Sequence, residues 1–123
     1  MTVYRIADGH DQEASFTDIN PQPASEAVRM PELVYYGNGQ AEFNGTPFAD
    51  LVWSGLSRAQ YSALRTQLGV SDTVASNDVT IRLRLNSDSF GNYNATLIYL
   101  RTERREMWGW SRFSVRLNNL VAT

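Results

Sequence analysis

The stretch that decides the fold is residues 79–101, which read VTIRLRLNSDSFGNYNATLIYLR. Its first seven residues alternate apolar and polar side chains, the two-residue period of a half-buried strand. A polar turn region, Asn86–Asn92, follows, and strand-forming residues then run from Tyr93 to Arg101. The pattern predicts an antiparallel hairpin with a short loop. Its predicted register pairs Leu85 with Tyr93, Leu83 with Ala95, Ile81 with Leu97 and Val79 with Tyr99.

Further strands are predicted on both sides of this hairpin. The alternation of Phe113, Val115 and Leu117 with polar residues predicts a last strand within 107–117. Upstream, strand formers flank Gly37-Asn38-Gly39, where positive φ angles are accessible, and predict another hairpin over 33–43. A turn at 44–47 and a short apolar strand over 48–53 come next.

One helix is predicted, over about 58–68. Ser57 and Gln60 have the spacing of a capping box, in which each side chain bonds the other residue's backbone N–H. Tyr61, Leu64 and Leu68 recur on one helical face, and a glycine follows as a left-handed stop. The fold class expected is therefore α+β, with a mainly antiparallel sheet curled into a sandwich or barrel and one flanking helix.

The length of 123 residues fits a single domain. A short strand is expected over 2–6. From 7 to 31 the chain is polar, contains three prolines and shows neither a strand nor a helix period. We predict that residues 7–31 form a polar N-terminal arm or long loop.

Composition excludes several kinds of chemistry. The chain has no cysteine, which removes thiolate catalysis, thiolate metal sites and disulfides. All eleven basic residues are arginine, so the phosphate-loop motif that ends in Gly-Lys is absent. A net charge of −2 provides no broad field for DNA or an anionic membrane. No apolar run approaches the roughly 20 residues of a membrane helix.

Candidate catalytic and metal-binding residues are few. The single histidine, His10, lies between Asp8 and Asp11, but no further ligands share its motif, which favours a solvated residue. Ser54 and Ser111 lack the Gly-x-Ser-x-Gly context of a hydrolase nucleophile. We expect no enzymatic activity, no metal and no cofactor.

Two patterns in the sequence suggest binding functions. Arginines and tryptophans alternate between 101 and 112, a combination found in proteins that bind single-stranded nucleic acid, but Glu103 and Glu106 interrupt the positive charge. Aromatic side chains also suggest an alternative, a small carbohydrate-binding module, although no converging set of polar groups is evident. These aromatics are Tyr35, Tyr36, Trp53, Tyr93, Tyr99, Trp108 and Trp110.

Apolar surface in excess of one core is the more informative feature. Strict alternation places Ile98, Leu100, Trp108 and Trp110 on the face of the sheet opposite to the one that the helix can cover. Two tryptophans and two aliphatic residues form a patch at the limit of what monomers expose. Either the hairpin over 33–43 covers this patch or another subunit does, and we predict these four residues as a subunit interface.

The order of these elements resembles a known family. The segment 45–64, GTPFADLVWSGLSRAQYSAL, is followed by an Asp78–Arg82 strand, a tyrosine-rich strand and a terminal Trp110–Leu117 strand. This arrangement is similar to small tail proteins of tailed bacteriophages. The resemblance implies the tail-tube fold, a β-sandwich or barrel with one helix, and assembly into rings around the channel through which DNA passes.

The resemblance also implies partners and a location. The partners are copies of the chain itself and other tail proteins, DNA only passes through without sequence-specific contacts, no membrane is involved, and the location is the virion. Tube subunits usually carry one long hairpin loop that stacks rings, whereas the loop at 86–92 is short, so the arm over 7–31 is an alternative stacking element. The level in the tail stays open between tube, distal ring and neck adaptor.

Overall fold

The computed structural model describes residues 3–29, 32–45, 47–85 and 89–123. Within these ranges lie ten strands, one α-helix and a 3-10 turn at Glu13–Ser15. The elements are β1 (Arg5–Asp8), β2 (Thr17–Asp18), β3 (Ser25–Arg29), β4 (Glu32–Tyr35), β5 (Ala41–Asn44), β6 (Phe48–Ser57), α1 (Arg58–Leu68), β7 (Ser76–Leu83), β8 (Gly91–Tyr99), β9 (Arg104–Arg105) and β10 (Gly109–Ala122).

Eight strands form one antiparallel sheet that curls into a half-barrel. Their order is β2-β1-β7-β8-β10-β6-β3, and β9 pairs with β10 outside this path. The two remaining strands, β4 and β5, form a separate two-stranded sheet. The predicted fold class, a mainly antiparallel α+β sandwich or barrel with one flanking helix, is confirmed.

Helix α1 begins and ends where the sequence predicts. The Gln60 N–H donates to Ser57 Oγ at 3.2 Å, and the Ser57 N–H donates to Gln60 Oε1 at 2.9 Å, which completes the capping box. Gly69 ends the helix with a φ of 76°, a conformation that glycine adopts without the steric cost of a Cβ atom. The helix packs against β6 and β10.

The hydrophobic core lies between α1 and the inner face of the sheet. Trp53 and Phe113 meet edge to face with ring centroids 5.4 Å apart, and the Trp53 indole N–H donates to the carbonyl of Pro21 at 2.8 Å. The largest fully buried side chains are Trp53, Phe113, Ile6, Ile19, Leu51, Leu56, Leu64, Leu68, Ile81, Leu83, Leu97 and Leu117. This core joins residues of the N-terminal segment to residues of β7, β8 and β10.

The prediction of a polar arm or long loop over 7–31 is wrong in part for the described residues of that segment, 7–29. It contributes the end of β1, all of β2 and β3, and two buried residues, Ala7 and Ile19. Sequence periodicity missed these strands because they are short and tertiary contacts fix them. For example, the Gln22 side-chain amide donates to the Tyr4 carbonyl and accepts from the Tyr4 N–H.

The predicted register of the β7–β8 hairpin is also wrong, by four residues. The structure pairs Leu83 with Gly91, Ile81 with Tyr93 and Val79 with Ala95. Leu85 has a φ of 49° and lies outside the strand, so the hairpin closes earlier than the apolar pattern suggests. Because a shift of four is even, every side chain keeps its predicted face of the sheet.

Several predicted boundaries also shift. The strand expected over 48–53 continues to Ser57, and the last strand extends from Gly109 to Ala122. The strand expected over 2–6 is observed further along the chain, as β1 at Arg5–Asp8. Residues 1–2, 30–31, 46 and 86–88 lie outside the described residues. They include the start of the strand predicted over 2–6, the end of the segment predicted over 7–31, and parts of the turns predicted at 44–47 and 86–92.

Candidate interaction surfaces

The β4–β5 hairpin is exposed along its whole length. Every residue from 32 to 45 is solvent-exposed, including the strand residues of both β4 and β5. The turn has the predicted position: Gly39 has a φ of 84°, and the Tyr36 N–H donates to the Gln40 carbonyl at 2.8 Å. The hairpin predicted over 33–43 is therefore present, and its large apolar side chains remain 41–74% exposed.

The two faces of this hairpin differ in character. Cross-strand pairing of Leu33 with Phe43 and of Tyr35 with Ala41 places four apolar or aromatic side chains on one face. The Tyr35 side chain is 74% exposed and that of Phe43 is 61% exposed. The opposite face carries Glu42, whose carboxylate accepts a hydrogen bond from the Tyr36 hydroxyl at 2.9 Å.

The four residues predicted as a subunit interface do not lie together. Trp108 is 58% exposed, and its ring lies against Gly55, where an added Cβ would come within 3.0 Å of it. Trp110 is half-buried and stacks on Tyr61 with centroids 4.3 Å apart. Trp110 therefore lies on the helix side of the sheet, not on the face that strict alternation predicts.

The reason is a local break in the alternation of β10. Arg112 has a φ of 60°. After it the odd-numbered Phe113 points into the core, whereas before it the even-numbered Trp110 packs against the core. Strand β6, which pairs with β10, shows the same break in alternation. Its buried residues are the odd-numbered Trp53, opposite Phe113, and the even-numbered Leu56, opposite Trp110. A positive φ in a non-glycine residue is invisible to a periodicity argument.

Ile98 and Leu100 are both half-buried. Ile98 alternates with the buried Leu97 and Tyr99 and pairs with Arg116, so it lies on the outer face as predicted. That face is more polar than expected, because the Arg116 guanidinium binds both carboxylate oxygens of Asp50, at 2.8 and 3.2 Å. Of the four predicted residues, Trp108 is the one that presents a large exposed apolar surface.

Exposed apolar and basic residues lie near Trp108 in the chain. Met107 is 97% exposed, and Arg104, Arg105 and Arg112 are exposed nearby in the chain. Segment 101–112 contains four arginines and two glutamates, and one of the glutamates, Glu103, turns inward to the core boundary. We call residues 104–112 the basic-apolar segment.

A polar cluster links the helix to this segment. Glu103 accepts hydrogen bonds from the hydroxyls of Tyr61, at 3.1 Å, and Tyr99, and the two hydroxyls lie 2.8 Å apart. Arg65 donates to the Tyr61 hydroxyl at 3.3 Å and forms an ion pair with Asp72 at 2.8 Å. Burial and the hydrogen bonds to Glu103 and Tyr61 raise the pKa of Tyr99 above its ordinary value, and burial raises that of Tyr61. Sequence reasoning missed this cluster because its members are far apart in the chain.

His10 is fixed against the sheet. Its Nε2 atom lies 3.2 Å from the Ala95 carbonyl oxygen and 3.9 Å from a carboxylate oxygen of Asp78. Across the described ranges, no group of three or more His, Asp or Glu side chains is placed to hold a metal ion. Within the same ranges, no helix combines the length and apolar character needed to cross a membrane.

The chain matches no protein-family model, and neither a curated protein nor a solved structure matches it.

Proposed function

We propose that this chain is a non-enzymatic structural subunit of a bacteriophage tail, which assembles with copies of itself into a ring around the DNA channel. The observation that carries the proposal is the β4–β5 hairpin, exposed from residue 32 to residue 45. A two-stranded hairpin is at best marginally stable in water on its own. An exposed hairpin with an apolar face therefore indicates a site of contact with a partner surface.

The described surface offers a matching partner on another copy of the same chain. The hairpin contains Glu32 and Glu42 and no basic residue, whereas the basic-apolar segment combines arginines with the exposed Trp108 and Met107. Apolar contact of the face that carries Tyr35 and Phe43 with Trp108 and Met107 favours docking of the hairpin of one copy on the segment 104–112 of the next. The two glutamates lie on the opposite face of the hairpin, so they add only a longer-range attraction to the arginines.

A contact between two different surfaces is heterologous, so it joins subunits head to tail. Head-to-tail contacts produce rings when the rotation between subunits closes, and helical filaments when it does not. The half-barrel with one flanking helix and the resemblance of segment 33–117 to phage tail proteins together favour the closed ring.

The test is the oligomeric state as a function of concentration. Wild-type protein should assemble in analytical ultracentrifugation and native mass spectrometry as concentration rises, and negative-stain images should show rings. Replacing two exposed residues of the apolar hairpin face, Tyr35→Ser with Phe43→Ser, should leave a folded monomer. Val74→Ser is the matched control, because Val74 is 46% exposed in a different part of the surface.

A chain that stays monomeric at all concentrations, or a double variant that assembles like the wild type, would contradict the proposal. The alternative of a carbohydrate-binding module predicts that monomer. It would be supported by saturable chemical-shift changes at Trp108 or Tyr35 on addition of oligosaccharides.

A further inference from the structure

A second feature, independent of the hairpin, lies at the N-terminal edge of the sheet. Strand β1 is between β2 and β7, and the register places Arg5 directly opposite Asp18 on one side and Arg82 on the other. With Val3, these three side chains line a pocket of about 210 Å³. The cross-strand row thus contains two adjacent guanidinium groups and one carboxylate.

The carboxylate is committed to one of the two arginines. Arg5 Nε lies 2.9 Å from Asp18 Oδ1, and an Arg5 Nη2–H donates to the Phe16 carbonyl at 3.1 Å. Within the described ranges the Arg82 side chain has no ion pair, and its Nε is buried without a hydrogen-bond partner. Its guanidinium lies 5.6 Å from the centre of the Phe90 ring.

Positive charge extends beyond this pair. Arg84 lies two residues further along from Arg82, and its guanidinium is 4.8 Å from the centre of the same Phe90 ring. The Glu26 carboxylate accepts a hydrogen bond from the Arg84 backbone N–H at 3.4 Å and offsets part of this charge. Like charges directly opposite each other in an antiparallel pair destabilise a sheet. Asp18 offsets part of this repulsion, and an anion bound between Arg5 and Arg82 would offset the rest and accept hydrogen bonds from the terminal guanidinium nitrogens of Arg82.

We propose that this pocket binds a small phosphate-type oxyanion, held by the guanidinium groups of Arg82 and Arg5. The planar fork of donors on arginine matches the oxygens of such anions. The volume is below the range usual for drug-sized ligands, which favours a small anion such as phosphate. The ligand would connect β1 and β7 and thereby stabilise the N-terminal edge of the sheet.

The experiment is a titration of the full chain with inorganic phosphate, compared with acetate and chloride at equal ionic strength and pH. We expect phosphate to raise the melting temperature and to shift the backbone amide signals of Arg5 and Arg82 in a saturable way, with weaker effects of acetate and chloride. Arg82→Gln should weaken phosphate binding tenfold or more. Arg58→Gln, on the exposed face of α1, is the control and should bind like the wild type.

Arg82→Lys separates binding from folding. It keeps the positive charge but loses the fork of donors, so it should bind phosphate with intermediate affinity. Equal stabilisation by chloride, an unchanged affinity in a folded Arg82→Gln variant, or signal changes without saturation would overturn the proposal. None of these outcomes depends on whether the chain forms rings.

Discussion

Glu103 places its carboxylate between two tyrosine hydroxyls at the boundary of the core. Tyr61 comes from the helix, Tyr99 from the end of β8, and Arg65 adds a positive charge above both rings, 5.0 and 5.4 Å from their centres. Hydrogen bonds to a charged acceptor are among the stronger ones in proteins. At the residue scale this cluster holds the segment after β8 against the helix.

The cluster predicts a loss of stability at alkaline pH. The pKa values of Tyr99 and Tyr61 are raised in the folded state, and burial and a hydrogen bond to Glu26 raise that of Tyr4 to about 12. Because the unfolded chain releases these protons first, the stabilisation is complete below pH 10 and is lost as pH rises above 10. Denaturant unfolding between pH 8 and pH 12, followed by tryptophan fluorescence, measures it.

Tyr99→Phe provides the variant for this test. The phenylalanine ring has no proton to lose, so stability should fall less steeply above pH 10, while at neutral pH it should drop by about 1 kcal/mol through the lost hydrogen bond. Tyr35→Phe is the control and should change neutral-pH stability by less than about 0.5 kcal/mol, because Tyr35 is 74% exposed. A wild-type stability that is constant between pH 9 and pH 12 would refute the assignment.

At the scale of elements, the break in β10 decides the roles of the two tryptophans. Before Arg112 the strand directs Trp110 to the helix, where it stacks on Tyr61. Trp108 precedes the strand and keeps most of its surface in solvent. One tryptophan therefore belongs to the fold, whereas the other is available to a partner.

This division predicts opposite outcomes for two alanine variants. Trp110→Ala should lower the free energy of unfolding of the isolated subunit by about 2–4 kcal/mol, less than for a fully buried tryptophan because the ring is half-buried. Trp108→Ala should cost the subunit less than about 1 kcal/mol but weaken self-association by about 2 kcal/mol or more. Thermal melts at low concentration and sedimentation equilibrium separate the two effects. A folded Trp110→Ala subunit with wild-type stability and no assembly would reverse these roles.

At the scale of the whole molecule, the proposed contact joins an acidic hairpin to a basic segment. The net charge of −2 is small, so the complementarity is local and does not arise from the total charge. Charged pairs at the edge of an interface mainly affect association rate and specificity, and salt weakens them. Assembly of the wild type should therefore weaken as ionic strength rises.

Charge exchange tests this contact. One variant carries Glu32→Arg with Glu42→Arg, and a second carries Arg104→Glu with Arg105→Glu. In each variant the hairpin and the segment have the same sign, so each alone should associate about 10-fold more weakly or worse, equivalent to about 1.4 kcal/mol or more. An equal mixture should recover assembly, because each hairpin then meets a segment of opposite charge on the other variant. Sedimentation velocity of the two variants and of their mixture gives the answer, and a mixture no better than its components would exclude this pairing of surfaces.

Local sequence signals determined the helix, the two hairpins and the fold class of this protein. The Ser57–Gln60 capping box and Gly69 act within a few residues of α1, and the turn at Gly37–Gly39 requires only its own backbone conformation. The faces of β7 and β8 also followed from the two-residue period. Signals of this kind depend only on residues within one element. They can therefore be recognised in the sequence without knowing which other segments pack against that element.

Only the tertiary structure decided the placement of residues 7–29, the hairpin register and the side of the sheet on which Trp110 lies. The N-terminal strands exist because β6 and β7 offer edges to pair with, and the register depends on the φ of Leu85. The two-arginine pocket likewise requires β1 to lie beside β7, although their residues are distant in sequence. These features depend on contacts between distant segments and on single backbone angles, neither of which leaves a periodic trace in the sequence.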